Sequence, residues 1–553
     1  MSQSPIDESS LSRRAFVGVA ASAAAAAALP RERALAQVRR AEASPTSAFA
    51  LEELTIADLQ AAMQRGEQTS RSLVEQYMSR IASLDRQGPA LRHMLDTNPD
   101  ALSIADQLDV ERRAGRVRGA LHGIPILVKD NIDTADRMTT TAGSLALEGS
   151  RAMRDAHVVA RLREAGGVVL GKTNLSEWAN FRSTHSSSGW SGRGGQGRNP
   201  YALDRTPSGS SSGSAGAVAA NYCAVAVGTE TDGSITSPAA ACSLVGIKPT
   251  VGLVSRSGIV PIAHSQDTAG PIARTVMDAA ILLSAIFGYD PRDEATNSYR
   301  ATSLPSDFAR GLASATLQGA RIGVARKKYT GYSPAADAAL ENALRAMKDH
   351  GATIVDPADI DTAGQFDDAE FEVLLYEFKA DLETYLRGLP PGARARTLDD
   401  LIAFDKAHAA AEMPYFGQEI FEMAAKKGPL TSPAYRKALD ACRRLARTKG
   451  LDATFAKHRL DTLVAPTQGP PALIDLANGD PSGGSSTTPC AVAGYPAITV
   501  PMGYHHGLPL GLTFMGKPWR EADLLRYAYA FEQATKVRRP PAFLATADLS
   551  AHP

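Results

Sequence analysis

The chain has 553 residues, of which 44% are hydrophobic and 21% are charged, so it is long enough to bury a large core. Lysine plus arginine and aspartate plus glutamate both number 59, which gives a net charge of zero. This balance argues against nucleic acid or an anionic membrane as the main partner.

The first 36 residues are predicted to be an export signal and not part of the fold. Ser12-Arg-Arg-Ala-Phe16 is similar to a twin-arginine signal, an apolar stretch runs from Ala15 to Leu29, and Ala34-Leu-Ala36 offers a cleavage site. The apolar stretch is too short for a membrane span, so no stable membrane association is expected after signal removal. An uncleaved anchor is the alternative. We expect residues 37–553 to form one domain in the periplasm or outside the cell.

Helical and extended patterns alternate in the first half of the mature chain. Four apolar residues recur at the spacing of one helical face: Leu73, Tyr77, Ile81 and Leu84. Ile124–Val128 predicts a strand that ends at Lys129, and Val168–Leu170 predicts another. Asn174-Leu-Ser-Glu177 is typical of a capping box that opens a helix. Such alternation predicts an α/β layered architecture.

Residues 300–455 carry no recognisable catalytic motif. Strands are predicted at Arg321–Ala325 and Ala352–Val355. The stretch from Glu370 to Lys449 is helical in pattern and is predicted to be an insert that shapes the substrate pocket. Asp461–Pro466 then returns the chain to the sheet.

Three segments carry the chemistry. They are Gly123–Asn131, the Ser/Gly-rich Pro207–Gly216, and Gly228–Ala240, which follows a predicted buried strand at Ala224–Val227. A strand that breaks into a Gly-Ser turn exposes a hydroxyl and aims several backbone N–H groups at one point. Acyl transfer needs this arrangement, because a nucleophile must lie beside donors for the developing oxyanion.

In this order and spacing the three segments resemble the amidase signature family of serine hydrolases. Ser208-Gly-Ser-Ser-Ser-Gly213 replaces the family's Gly-Gly-Ser-Ser-Gly-Gly core, and Ser210 falls twenty-four positions before Ser234, as the family's catalytic serines do. The resemblance covers roughly residues 50–290 and 455–540. It implies an α/β fold with a central mixed β-sheet flanked by helices, a signature core at about 120–280 and the helical insert at about 300–455.

The resemblance also implies the roles of individual residues. Ser234 would attack the carbonyl carbon, Ser210 would relay the proton from a cis peptide, and Lys129 would be the terminal base. The oxyanion hole would consist of the backbone N–H groups of Thr231, Asp232, Gly233 and Ser234. The implied reaction is a two-step hydrolysis through an acyl-enzyme, with no metal or organic cofactor.

Lys129 must be neutral to accept a proton, although a free lysine titrates near ~10.4. The apolar residues Ile124–Val128 before it are consistent with the desolvation that would favour the neutral amine. Asp130 would oppose this if it faced the same way, but successive strand side chains point to opposite faces.

Three residues depart from the commonest family pattern: Glu230, Asp232 and Thr236. These departures resemble the branch of bacterial peptide amidases, which release ammonia from C-terminal peptide amides. A small-molecule or peptide amide is therefore the expected substrate. If the Asp232 backbone makes the catalytic contact, its carboxylate should point away from the oxyanion.

Three alternatives remain open. Gly209-Ser-Ser-Ser-Gly213 also matches the nucleophile elbow of α/β-hydrolases, with Ser211 as the nucleophile of an esterase or aryl-acylamidase. An exported amide-binding protein that lost catalysis is the second. A component of a tRNA-dependent amidotransferase is the third, although charged tRNA is cytosolic and the export signal counts against it.

The cysteines give no sign of a framework or of a metal site. Cys223, Cys242, Cys442 and Cys490 contain no Cys-x-x-Cys pair, and no His/Cys cluster has metal spacing. Cys223 and Cys242 are expected to be small core residues.

Overall fold

The computed structural model describes residues 49–302, 304–481 and 483–550. The chain divides into two compact units, Met1–Glu52 and Glu53–Pro553. Of the first unit only residues 49–52 are described, and there the N–H of Glu52 donates to the carbonyl oxygen of Phe49 at 2.9 Å. The predicted export signal at residues 1–36 lies outside the described residues.

The second unit is built around one large sheet. The strands of the described residues are, in chain order, β1 (Met94–Thr97), β2 (Pro125–Lys129), β3 (Val168–Thr173), β4 (Trp190–Ser191), β5 (Gly195–Gln196), β6 (Val225–Glu230), β7 (Val245–Lys248), β8 (Thr268–Ala273), β9 (Arg321–Val324), β10 (Thr353–Val355), β11 (Thr462–Pro466), β12 (Ala497–His505) and β13 (Leu508–Met515). Strands β4 and β5 pair only with each other, and the other eleven form a sheet in the order β1-β3-β2-β6-β8-β7-β12-β13-β11-β9-β10. The sheet is mixed, because β2 runs parallel to β3 and β6 whereas β6 runs antiparallel to β8.

Helices flank this sheet. The α-helices of the described residues are α1 (Ile56–Gln64), α2 (Ser70–Leu84), α3 (Ala101–Arg113), α4 (His157–Glu164), α5 (Ser212–Ala219), α6 (Thr236–Ala241), α7 (Val276–Ile286), α8 (Pro334–Asp349), α9 (Asp367–Arg387), α10 (Leu398–Ala407), α11 (Ala409–Glu412), α12 (Glu419–Ala425), α13 (Pro433–Cys442), α14 (Asp452–His458), α15 (Thr488–Ala493) and α16 (Glu521–Thr535). A π-helical segment, Arg443–Leu451, joins α13 to α14. No helix in the described ranges has the length and apolar character needed to cross a bilayer.

Two neighbouring parallel strands position the site. In the register of β2 and β6, Val128 lies opposite Val227. Every residue of both strands is buried, as expected for parallel strands covered on both faces. Parallel strands end at the same edge of a sheet, so Lys129 at the end of β2 lies beside the end of β6. The chain that leaves β6 after Glu230 begins its turn at this edge.

The helical insert is held against this part of the molecule by apolar packing and by a buried cation. One cluster of buried apolar residues joins Phe378 of α9 to Trp178. Arg182 is fully buried, forms an ion pair with Glu177, and donates to the carbonyl oxygen of Glu412 at 2.6 Å. Since Glu412 belongs to α11 and Glu177 to the core, this contact ties the two together.

Most predicted elements are confirmed, including the mixed sheet and the strands at β2, β3, β6 and β11. The capping-box prediction at residues 174–177 is wrong. Glu177–Asn180 is a single 3₁₀ turn with Trp178 and Ala179 at positive φ, so no α-helix follows. Asn174 instead accepts a hydrogen bond from Ser191 Oγ at 2.7 Å, because a partner seventeen residues away competes for its side chain.

The sequence patterns also do not predict strand β1. All four cysteines are free and buried, which confirms the expectation that Cys223 and Cys242 are core residues.

Candidate active site

Lys129 ends strand β2 and is fully buried. Its Nζ lies 2.7 Å from Ser210 Oγ, 2.9 Å from Thr229 Oγ1 and 3.4 Å from the carbonyl oxygen of Thr229. Burial lowers the pKa of Lys129 to about 7, although the negative charges of Asp267 and Glu230 act in the opposite direction. A large fraction of this amine is therefore neutral at physiological pH.

The neighbouring carboxylate does not share this environment. Asp130 Oδ2 accepts a hydrogen bond from the N–H of Thr141 at 3.2 Å, and Asp130 Oδ1 lies 3.7 Å from Lys172 Nζ. Asp130 thus interacts with a different lysine, in agreement with the alternation of side chains along a strand.

Ser210 lies in the Ser/Gly-rich segment before helix α5. The Gly209–Ser210 peptide is cis, as the resemblance implied, and Ser210 is fully buried. A Cβ at position 209 would collide with Ser176 Oγ, which explains a glycine there. The N–H of Ser176 donates to the carbonyl oxygen of Ser210 at 3.1 Å and fixes the segment against the loop after β3.

Ser234 lies on the turn between β6 and α6. Its carbonyl oxygen accepts a hydrogen bond from the N–H of Ser211 at 3.1 Å, so the turn is bonded directly to the residue after Ser210. Gly233, the residue before the serine, has a φ of 78°. A Cβ there would lie 2.9 Å from Ser237 Oγ, so the turn requires glycine at this position for both reasons.

Glu230 braces the turn from inside. Its Oε2 accepts hydrogen bonds from the N–H groups of Ile235 at 2.7 Å and Thr236 at 2.8 Å, and from Thr236 Oγ1 at 3.1 Å. The carboxylate therefore closes a loop around Ser234 and satisfies two N–H groups at the start of helix α6.

The turn after β6 carries the backbone N–H groups of Thr231, Asp232, Gly233 and Ser234. Within the described ranges, none of them donates a hydrogen bond to another protein atom. Two side chains of the turn are held from outside. Thr231 Oγ1 donates to Asp267 at 2.6 Å, and Asp232 accepts from Thr487 Oγ1 at 2.6 Å. Such tethers leave the N–H groups available to a bound ligand.

A protein-family model described as Amidase matches residues 72–525 of the chain. The chain belongs to the amidase family. Its place in this family agrees with the three chemistry-bearing segments, all of which lie inside the matched range.

Individual members of the amidase family resemble the whole chain. A probable amidase of Arabidopsis thaliana is 42% identical over 508 residues, which are 90% of this chain and 93% of that protein. The native peptide amidase of Stenotrophomonas maltophilia is 52% identical with a TM-score of 0.85, over 90% of this chain and 99% of its own. A component of the glutamyl-tRNA(Gln) amidotransferase of Chloroflexus aurantiacus is 34% identical over 518 residues, 88% of this chain and 97% of that protein.

These likenesses show an amide-hydrolysing enzyme of the amidase family and confirm the expected similarity to bacterial peptide amidases. Two departures from the commonest amidase pattern prove to be partners of each other, since Thr236 donates to Glu230 by both its N–H and its hydroxyl. The sequence shows them only as separate substitutions.

Ser211 does not have the environment of a nucleophile elbow in this amidase. It is fully buried, its Oγ donates to the carbonyl oxygen of Thr229 at 3.0 Å, and it accepts from the N–H of Thr229 at 3.2 Å. The nucleophile elbow needs a strand directly before the serine, and residues 204–210 form none. Ser211 therefore fastens the Ser/Gly-rich segment to β6.

Sequence reasoning missed several side chains of the site. Asn131 donates to Thr229 Oγ1 at 3.0 Å, so Thr229 contacts both Asn131 and Lys129. Asp267 lies within residues 50–290, which the family resemblance covers, but its hydrogen bond with Thr231 spans 36 residues. No local pattern signals such a contact.

His264, Glu377 and Asp381 lie within 4.8 Å of one another and are a possible metal-ligand group. Each ring nitrogen already faces a carboxylate, with Nδ1 2.8 Å from Asp381 Oδ2 and Nε2 3.4 Å from Glu377 Oε1. Burial lowers the pKa of His264, but the hydrogen bond to Asp381 and the charge of Glu377 raise it overall. These contacts join the loop before β8 to α9.

We expect Glu230→Ala to destabilise the fold, because two buried N–H groups lose their acceptor at about 1–3 kcal/mol each. Amide hydrolysis should also fall by about 10²-fold as the Ser234 turn loosens. Urea denaturation and steady-state kinetics measure the two effects. Glu230→Gln is the matched control, since its amide oxygen can still accept both bonds. Equal losses of stability and activity in both variants would show that the negative charge of Glu230, and not the hydrogen bonds that it accepts, supports the turn.

Proposed function

We propose that this enzyme hydrolyses the carboxamide at the C-terminus of a peptide to the free acid and ammonia. In this proposal Ser234 is the nucleophile, Ser210 relays protons and Lys129 is the terminal base. The support that carries most weight is the buried Lys129 amine, 2.7 Å from Ser210 Oγ, with its pKa lowered to about 7.

The contacts of Lys129 suit a neutral base. A neutral amine has two protons and one lone pair. Both oxygen atoms of Thr229 within reach can accept, and the carbonyl oxygen can only accept. With its protons donated to Thr229, the amine turns its lone pair toward the hydroxyl of Ser210. Ser210 then donates to Lys129 and can accept a proton from Ser234 in turn.

The first half-reaction forms an ester. Ser234 Oγ attacks the amide carbon, its proton passes to Ser210, and the Ser210 proton passes to Lys129. The C–N bond then breaks, and the proton returns from Lys129 through Ser210 to the departing nitrogen, which leaves as ammonia. In the second half-reaction water attacks the ester carbon along the same proton route, which releases the acid and restores Ser234.

The oxyanion of each tetrahedral intermediate would lie among the backbone N–H groups of Thr231, Asp232, Gly233 and Ser234. Donors fixed before the reaction lower the barrier because they need no reorganisation when the charge develops. Burial raises the pKa of Asp232 to about 6, and its hydrogen bond from Thr487 holds the carboxyl group. This tether would keep the negative oxygens of Asp232 from replacing the substrate oxyanion.

The choice of a C-terminal peptide amide rests on the 52% identity to a peptide amidase. A panel of amides tests it, with ammonia release as the measurement. We expect N-acetylated dipeptide amides to be hydrolysed with a higher kcat/KM than short aliphatic or aryl amides. Cleavage of the corresponding internal peptide bonds should be undetectable. A preference for anilides or aliphatic amides would overturn the substrate assignment without affecting the reaction type.

A further inference from the structure

A cavity of about 480 Å³ lies between the helical insert and the core of the enzyme. The insert contributes Arg443 and Arg447 to its wall, one helical turn apart, and the loop before β8 contributes Gln266. Neither the catalytic serines nor Lys129 line it, so its role is not explained by the chemistry described above.

The wall of this cavity is positively charged. Of its ionisable lining groups, Arg443 and Arg447 carry positive charge and no Asp or Glu lines it, whereas both ring nitrogens of His264 face the carboxylates of Asp381 and Glu377. Within the described ranges neither arginine forms an ion pair. Arg447 Nε donates to the carbonyl oxygen of Ala493 at 2.7 Å, which leaves its outer nitrogens for a ligand. Because the chain as a whole is neutral, the two guanidinium groups make this cavity wall more positive than the chain average.

The same cavity has an apolar side. Val251, Val373, Leu439, Val492 and Trp519 contribute to its lining. A ligand that fits both parts is an organic anion with an apolar body. A guanidinium group is planar and can donate two parallel hydrogen bonds to one carboxylate. A carboxylate is therefore the anionic group that Arg443 and Arg447 are best suited to bind.

Two hydrogen bonds connect the cavity wall to the turn that carries Ser234. Gln266 donates to the carbonyl oxygen of Thr231 at 3.4 Å. Thr487, directly before the helix that supplies Val492, donates to Asp232. Gln266 also donates to Glu370 at 2.8 Å, and burial raises the pKa of that carboxyl well above its usual range. Gln266 therefore joins the cavity wall to the turn that carries Ser234.

We infer that this cavity binds the acyl part of the substrate and that Arg443 and Arg447 select peptide amides with an acidic side chain upstream of the scissile amide. This inference rests on the proposed function and adds the substrate class to it. The guanidinium groups would pair with the carboxylate, while the apolar side would hold the rest of the chain.

The test uses N-acetylated tetrapeptide amides in which Glu or Gln is placed at each of the three positions before the last residue. We expect Glu at one position to give a kcat/KM about tenfold or more above Gln, as for a charge-assisted pair. In Arg443→Gln/Arg447→Gln this ratio should fall to about one. Raising the ionic strength should also reduce it in the wild type.

Arg444→Gln is the matched control, because Arg444 lies between the two arginines and is exposed like Arg443 but does not line the cavity. It should keep the wild-type ratio. A ratio of one at every position in the wild type, or a preference that survives in the double variant, would overturn the inference. If the double variant unfolds at a lower temperature than the wild type, the same ratio of kcat/KM is measured in the single variant Arg443→Gln.

A binding measurement separates this inference from the proposed function. The acidic tetrapeptide amide is titrated calorimetrically into Ser234→Ala, with and without the two arginine substitutions. Loss of affinity on substitution supports the inference even if ammonia release fails for other reasons. If the corresponding acidic peptide acid binds but does not compete with a neutral amide substrate, the arginines serve a separate anion site and the inference is wrong.

Discussion

Ser234→Ala is expected to reduce amide hydrolysis by about 10⁴–10⁶-fold, because the acyl-enzyme can no longer form and only binding and oxyanion stabilisation remain. The fold should be unaffected, since the contact that fixes this residue is its backbone carbonyl oxygen with the N–H of Ser211. Ammonia release gives the rate, and a thermal melt checks the fold. A fluorophosphonate probe should label the wild type and not the variant.

Ser211→Ala is the matched control, one residue from Ser210 in the same segment. Its hydroxyl bonds only to the backbone of Thr229 among the described contacts, so the variant should lose about 1–3 kcal/mol of stability but keep its labelling and most of its rate. The opposite pattern, with Ser234→Ala active and Ser211→Ala inactive, would restore the elbow-type mechanism.

Lys129→Met should lower kcat/KM by about 10²–10⁴-fold, the usual contribution of a general base. In the proposed mechanism the base is the neutral amine, so kcat/KM of the wild type should fall tenfold per pH unit below the Lys129 pKa of about 7 and level off above it. In the methionine variant kcat/KM should not show this fall below pH 7. Lys129→Arg stays charged at every accessible pH and should remain inactive throughout. A wild-type profile that is flat from pH 5 to 9 would contradict the assigned base.

Stability gives a second measurement for the same residue. The folded pKa of about 7 lies below the unfolded value near ~10.4, so the unfolded chain binds more protons between these limits and stability rises with pH across that window. Methionine has no charge to desolvate, so it does not lower the stability of the folded state in this way. Lys129→Met should therefore melt at least as high as the wild type at pH 7, and its advantage should shrink toward pH 10. A variant that loses activity but not stability identifies a functional lysine.

The local patterns of the chain were good guides wherever one strand or turn determines the outcome. The apolar run before Lys129 predicted a buried strand that ends at this lysine, and the Gly233–Ser234 pair predicted the turn after β6. The family resemblance added the cis peptide at Gly209–Ser210, which no composition or periodicity signals.

Prediction failed where distant side chains compete for the same groups. Asn174 and Glu177 have the spacing of a capping box, but Asn174 bonds to Ser191, and Glu177 bonds to Arg182 and to the N–H of Gly192 at 2.6 Å. Tertiary contacts override local helix propensity in such cases, because a buried charge or amide needs a hydrogen-bond partner and takes the one that the fold brings near.

The sequence by itself determined the strand that ends at Lys129 and the turn that carries Ser234, because strand periodicity and turn glycines are properties of a few consecutive residues. Ser210 was identified by the family resemblance alone. Only the tertiary structure decided how neutral the lysine is, since that depends on complete burial at the common edge of β2 and β6. The hydrogen bond that holds Asp232, in the turn that carries Ser234, was likewise not predictable from the sequence, because its donor Thr487 lies 255 residues away. The same holds for the arginine-lined cavity, whose walls come from segments that meet only when the insert packs on the core.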